Sequence, residues 1–307
     1  MTNIISFPKL GLEFTINESV GIFNIRWYGV LIAVGFLLVM LYAFYRAKDF
    51  GIISDKIVDV AIWGTIGGIV GARAYFVIFY ENSFDSFWDI FKIWEGGIAI
   101  YGGLIGGLGL GILGCYLNKV KILPMVDLAV MGFLIGQGIG RWGNFTNGEA
   151  YGVEMTNVMP WGMQITEMQN GLVVGQTGIV HPCFLYESLW CILGFVLLHF
   201  YSKHRRFDGE ILLMYLGWYG FERFFVEGLR TDSLYWGNFR VSQVLAAICV
   251  VVALAVWIFV RVKIKRNEQP EYLMPFGNTE EAQMMIEEYN KNLKSKKEKK
   301  VQKTEEQ

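Results

Sequence analysis

The sequence predicts an all-α fold: a polytopic membrane protein of seven transmembrane helices, with its N-terminus outside and its C-terminus in the cytoplasm. Three observations carry that expectation. The composition is too apolar for an ordinary soluble domain, seven nearly uncharged runs are long enough to cross a bilayer, and basic residues gather in alternate loops.

Hydrophobic residues make up 53% of the 307 and charged residues only 18%, a balance that favours a membrane protein over a soluble one. The formal net charge of −1 excludes a strongly basic nucleic-acid binder. Cys115, Cys183, Cys191 and Cys249 sit in apolar contexts and form no CxxC pair, so they read as buried free thiols rather than a zinc site or a disulfide framework. No basic segment precedes a short apolar core at the N-terminus, so no cleavable signal peptide is expected.

The apolar runs fall at about 27–46, 57–80, 97–117, 122–140, 183–201, 210–229 and 241–262, each close to the ~20 residues a spanning helix needs. Their orientation follows from loop charge. Arg46, Lys48 and Lys56 lie after the first run, Lys119 and Lys121 after the third, Lys203, Arg205 and Arg206 after the fifth, and Arg261, Lys263, Lys265 and Arg266 after the last. The intervening loops hold Glu81, Asp85, Asp89, Glu95, Glu154 and Glu167 instead. Cytoplasmic loops carry the basic excess, so every basic segment is assigned to that side.

Three regions follow. Residues 1–26 form an extracytoplasmic interfacial arm, with Phe7, Leu10, Leu12, Phe14 and Ile16 suited to a bilayer surface. Residues 27–262 form a seven-helix membrane catalytic domain, with residues 141–182 as an outer loop or head region. Residues 263–307 are a polar cytoplasmic tail ending in KSKKEKKVQKTEEQ, read as solvated chain or frayed helix, whose lysines suit anionic lipid. Within the membrane domain, Gly132, Gly136 and Gly140 repeat every four residues, as do Gly103, Gly107 and Gly111, and Gly67 with Gly71. Such repeats make flat helix faces for close backbone packing.

The polar groups are unevenly placed. GRWGNFTNGEAYG, residues 140–152, sets Arg141, Asn144, Asn147 and Glu149 at the end of an uncharged run. Tyr28 opens the first run, Arg73 lies near the outer end of the second, Tyr101 near the outer start of the third, and His181 and Glu187 flank the outer start of the fifth. On the sixth, Tyr219, Arg223, Glu227 and Arg230 fall within an arc of about 80° at ~100° per residue, one stripe on one face. Structural readings stand beside functional ones: Arg223 and Glu227 suit an i,i+4 ion pair, Arg73 a snorkelling cation, His181 before Pro182 a helix start, and Tyr28 beside Trp27 an aromatic belt. Ionisable groups inside a membrane are nonetheless functional by default. Two guanidiniums suit a phosphate diester, because their planar forks bind it in two-pronged fashion and stay charged when desolvated. Asn144, Asn147 and Tyr219 suit glycerol-type hydroxyls. The chain contains no GxSxG elbow, HExxH motif or P-loop, so no nucleophile, metal or cofactor of its own is expected.

These stretches resemble the prolipoprotein diacylglyceryl transferase family. GRWGNFTNGEAYG is similar to its signature, and RWYG at 26–29, GARAYFVIFY at 71–80, WEGGIAIYGGLIGG at 94–107, HPCFLYE at 181–187 and YGFERFFVEGLR at 219–230 agree with it in order. The resemblance implies a bacterial cell-membrane enzyme that moves diacylglyceryl from phosphatidylglycerol to the thiol of a prolipoprotein's lipobox cysteine, releasing glycerol phosphate. It implies lipid-phosphate contacts from Arg141 and Arg223, and site roles for Asn144, Glu149, Tyr28, Tyr219, Glu227 and Arg230. Many members of the family have histidine where this chain has Tyr101. A thiol of pKa ~8.5 needs a base near neutral pH, and tyrosine near ~10 is better cast as a hydrogen-bond partner. Glu149 or Glu227 is therefore the expected proton acceptor, with Arg223 stabilising the departing phosphate. The competing class is a phospholipid or small-anion transporter, whose site would sit near the midplane rather than in one half of the bundle.

Overall fold

A computed structural model describes residues 2–17, 19–20, 25–79, 86–93, 96–231, 235–237, 239–267 and 269–305. Tyr80, Glu81, Asp85, Trp94 and Glu95, which the loop-charge and motif readings used, lie outside the described residues. Each of the predicted runs coincides with a helix: α1 Trp27–Arg46, α2 Ser54–Phe79, α3 Ile100–Leu117, α4 Ile122–Asn147, α5 Cys183–Tyr201, α6 Glu210–Leu229 and α7 Val241–Arg266, with α8 Glu280–Glu305 beyond them. Among the described residues, six helical segments are long and apolar enough to cross a membrane. These contain α1 to α5 and α7; α6 differs because it carries Glu210, Glu222, Arg223 and Glu227. The chain is thus a largely helical, multi-pass membrane protein.

The expectation of an all-α fold needs correction. Strands β1 Thr2–Phe7, β2 Leu12–Asn17, β5 Gln164–Gln169 and β6 Leu172–Gln176 form an antiparallel sheet in the order β2-β1-β5-β6. Short hairpins join β3 Ser19–Val20 to β4 Ile25–Arg26, and β7 Tyr235–Trp236 to β8 Phe239–Arg240. The reason lies in the period of two of TNIISF: Asn3, Ile5 and Phe7 are buried while their neighbours are less so. Phe7 therefore sits in a core with Phe145, Met163, Ile165, Val180 and Phe184 rather than on a bilayer surface. Leu10, Leu12 and Phe14 remain exposed.

The chain divides into two compact units, Met1–Tyr42 with Ala129–Leu273, and Ala43–Leu128 with Met274–Gln307. In the first, Trp190 of α5 and Trp218 of α6 stack at 4.2 Å, and each indole N–H donates to the other's backbone oxygen at 3.0 Å. A side chain on Gly194 would collide with Trp218, so the glycine makes that stack possible. At the start of α6 the fully buried Glu210 accepts from Arg261 Nε (2.6 Å), Trp257 Nε1 (2.9 Å) and the Tyr201 hydroxyl (3.0 Å), tying α5 and α7 to α6. Gly132 accommodates Val39 at 2.6 Å from its would-be Cβ, whereas one on Gly140 would meet nothing within 4 Å.

In the second unit, α2 and α3 run antiparallel at backbone contact. A Cβ on Gly67 or Gly71 would lie closer than 3.0 Å to the Gly106 or Gly102 carbonyl oxygen respectively, and the reverse holds for Gly106 and Gly102. The predicted face of Gly103, Gly107 and Gly111 is offset by one position. Cβ atoms there would find ordinary or mildly tight neighbours at 3.5, 3.4 and 3.9 Å. Gly106→Ala is accordingly expected to cost about 1–3 kcal/mol by overpacking, read as a lower melting temperature in detergent, while Gly103→Ala melts near wild type. Equal melting temperatures would contradict the seam. The tail is more ordered than its composition suggests: Ala282 at the start of α8 is fully buried, and Phe276 packs on Gly51 beneath Lys121. Cys115, Cys183 and Cys191 are buried free thiols as expected, but Cys249 is only half-buried.

Candidate functional site

The first unit brings most of the predicted polar residues together around one carboxylate that the motif reading left without a role. Glu187, one turn into α5 and 1% exposed, receives Arg141 Nη2 from α4 at 2.6 Å, Arg223 Nη1 from α6 at 3.6 Å and Arg230 Nη1 from the end of α6 at 3.3 Å. Arg223 also pairs through Nη2 with Glu227, one helical turn away and 2% exposed. Arg141 and Arg223 therefore meet at a shared anion. Their side chains keep 20% and 19% exposure, so both stay partly accessible while paired.

Three guanidiniums converge on two buried carboxylates, and each keeps its charge at accessible pH. A phosphodiester carries one negative charge and oxygens spaced for such forks.

The loop after α4 frames the cluster. Arg141 Nη1 donates to Asn144 Oδ1 at 3.4 Å, and the amides of Asn144 and Asn147 donate to Oε1 of the exposed Glu149 at 3.2 and 3.1 Å. Gly148, with φ +67°, turns the chain out of the helix so that Glu149 comes back over it, its N–H on the Asn144 oxygen at 3.0 Å. Trp142 Nε1 donates to Ser188, and Ser188 to the Gly138 oxygen, fixing α4 against α5. Tyr28 lies against Gly143, where any side chain would strike its ring. Tyr219 stacks on Tyr215, one turn earlier on α6, at 5.8 Å. An apolar cavity of about 600 Å³, walled by Trp27, Leu31, Trp142 and Phe145, lies beside this helix end.

His181 stands apart from the arginine cluster. Its Nδ1 shares a hydrogen bond with the Tyr186 hydroxyl at 3.2 Å, which also accepts from Trp161 Nε1 at 2.8 Å, while its backbone oxygen accepts from Gly152 N–H at 2.9 Å. Burial lowers its pKa below the usual 6.5, so the ring is neutral at pH 7. The sign follows: any stability His181 contributes is present above about pH 6.5 and lost as pH falls below it. A proton NMR titration of this imidazole is expected to show a midpoint under 6.5; a higher one would reverse the assignment.

Arg73 and Tyr101 belong to the second unit. The Arg73 guanidinium is filled with backbone acceptors: the oxygens of Ile90 (2.7 Å), Gly96 (2.7 Å), Gly97 (2.7 Å), Asp89 (2.5 Å) and Lys92 (3.5 Å). It holds the described parts of the loop before α3 in place, where a snorkelling cation was expected. Tyr101, at the start of α3, is exposed. Besides Glu187, motif reading also passed over Glu222, 5% exposed on α6. Glu187 was findable as a single carboxylate inside an otherwise apolar run, and Glu222 as the neighbour of Arg223 on the polar helix.

Comparisons with known proteins accord with this geometry. Residues 16–259 match the model of the family described as prolipoprotein diacylglyceryl transferase. A Listeria innocua protein named phosphatidylglycerol–prolipoprotein diacylglyceryl transferase is 40% identical over 260 residues, covering 83% of this chain and 91% of its own. Proteins of the same name from Staphylococcus haemolyticus and Thermotoga maritima are each 41% identical, covering 80% and 79% of this chain and 87% and 83% of theirs. With a family model spanning most of its length and relatives this similar, the chain belongs to the prolipoprotein diacylglyceryl transferase family.

Proposed function

We propose that this chain transfers the diacylglyceryl group of phosphatidylglycerol to the lipobox cysteine thiol of a prolipoprotein, at the extracytoplasmic side of the bacterial cell membrane. The observation that carries this reading is the buried Glu187 with Arg141, Arg223 and Arg230 around it, a cluster of guanidinium forks of the kind that suits a phosphodiester. In the proposed topology α6 also crosses the membrane, which brings the number of spans to seven. Its carboxylates at 210, 222 and 227 are buried, so lipid meets an apolar face. The N-terminus is outside and the basic ends of α1, α5 and α7 are cytoplasmic.

In this mechanism Arg141 and Arg223 hold the phosphate, with Arg230 behind them, and an acyl chain enters the cavity beside Trp142. The cysteine sulfur attacks the glycerol carbon that bears the phosphate. A carbon–sulfur bond forms as that carbon–oxygen bond breaks, and the bond electrons leave with glycerol phosphate. The guanidiniums are already in place where charge builds, so no reorganisation is needed in the transition state. Glu149 takes the thiol proton and passes it to the leaving phosphate: its Oε1 is anchored by two amides, which leaves Oε2 for the incoming proton. Glu227 holds Arg223, Asn144 and Asn147 hold Glu149, and Tyr28 and Tyr219 complete the walls and hydrogen-bonding groups. His181 shapes the entry of substrate.

Purified protein, phosphatidylglycerol and a lipobox peptide are expected to yield a thioether-linked diacylglyceryl peptide by mass spectrometry. A transporter or lipid-binding scaffold yields none.

A further inference from the structure

The proposed mechanism leaves one buried carboxylate unused. Glu222 is 5% exposed, yet among the described residues neither of its carboxylate oxygens has a hydrogen-bond donor. It precedes Arg223 in the chain and is electrostatically coupled to Glu187, Arg141, Arg223 and Arg230. Those arginines are committed elsewhere, to Glu187 and Glu227. On α6 it lies about 60° from Tyr219 at ~100° per residue, on the flank of the polar stripe.

Leaving a buried carboxyl without donors costs free energy that the fold must recover somewhere. Among the described residues the arginines around it pair with Glu187 and Glu227, and a ligand hydroxyl would supply the partner that Glu222 lacks. Phosphatidylglycerol offers few donors: its phosphodiester and ester oxygens only accept. Its hydrogen-bond donors are the two hydroxyls of the terminal glycerol, matching in number the two unpartnered oxygens of Glu222.

We infer that Glu222 is the headgroup-reading residue of the site, accepting hydrogen bonds from the glycerol hydroxyls while the arginines hold the phosphate. This rests on the transferase reading above. Selectivity follows from physics already on display: a polar group built to pair with a hydroxyl discriminates strongly against a ligand that lacks it, because it is left buried and unpaired.

The test is a competition within one reaction. Phosphatidylglycerol and phosphatidylpropanol, whose headgroup lacks both hydroxyls, are given acyl chains of different isotopic mass and mixed equally in detergent micelles with the lipobox peptide. The mass of the diacylglyceryl peptide reports which lipid was used, and the ratio does not depend on how much enzyme is active. Wild type is expected to prefer phosphatidylglycerol by at least about tenfold. Glu222→Met is expected to bring the ratio to near one, and Glu222→Gln, which keeps one acceptor oxygen, to an intermediate value, with turnover of phosphatidylpropanol retained. The lipid-free Glu222→Met protein is expected to melt at or above the wild-type temperature, since an unpartnered buried group has been removed. A ratio unchanged by both substitutions, an equal loss for both lipids, or a marked fall in melting temperature overturns the assignment. Absence of thioether product from either lipid with wild type would instead overturn the transferase reading itself.

Discussion

Glu187→Ala is expected to lower thioether formation by at least about a hundredfold and to lower the melting temperature of the protein in detergent. Glu187 is the one anion that all three arginines share, at 1% exposure. Removing one member of a buried ion pair leaves its partners uncompensated, at a cost of about 3–5 kcal/mol. At ~1.4 kcal/mol per factor of ten, even the lower figure amounts to more than a hundredfold when the strain falls on the reacting geometry. Glu187→Gln separates the contributions. It keeps the shape and one acceptor oxygen, so melting recovers in part, but the neutral amide cannot hold three guanidiniums at a single point. Activity is expected to stay low in both variants when initial rates are measured with peptide in excess. Wild-type rates in Glu187→Gln would mean that the arginines find their places without it.

Arg141→Lys should remove most activity while leaving the fold intact. The two terminal nitrogens of Arg141 do different work: Nη2 is on Glu187 at 2.6 Å, and Nη1 on Asn144 at 3.4 Å. The same side chain thus links the carboxylate hub to the amide pair that anchors Glu149. A lysine preserves the charge but offers a single point of donors at the end of a flexible stem, and it cannot bridge both partners while gripping a phosphate. A drop of about a hundredfold in kcat/KM for phosphatidylglycerol is expected, from loss of about one bidentate charge-assisted contact. The KM for the peptide should be unchanged. Arg223→Lys is the companion case, since its fork bridges Glu187 and Glu227. Should Arg141→Lys retain full kcat/KM, charge alone would suffice at that position and the two-pronged grip would be abandoned.

The positions of the helices were legible in the sequence because they depend on what a residue shares with neighbours a few places away. Runs of about twenty apolar residues, and the polar stripe of Tyr219, Arg223, Glu227 and Arg230, are local patterns, and each run coincides with a helix from α1 to α7. The cluster at residues 140–152 stood out for the same reason, being polar chain at the end of an apolar run. What depended on distant partners was settled only by the tertiary structure. TNIISF has an alternation, but its partner, β5, lies some 160 residues further on, and without that pairing the segment reads as a greasy arm. The glycine seam is set by which helix faces which, so the residues at backbone contact are Gly102 and Gly106, one place from the repeat picked out by spacing. Arg73 looked like a ligand-binding cation until the carbonyls of Asp89, Ile90, Lys92, Gly96 and Gly97 gathered around it. Along the chain Glu187 has no charged neighbour within five residues and Glu222 stands beside Arg223, yet the tertiary pairing is the reverse. One is saturated by three arginines drawn from two other helices, and the other is left with none, because an ion pair belongs to the geometry that brings charges together and not to the residues that bear them.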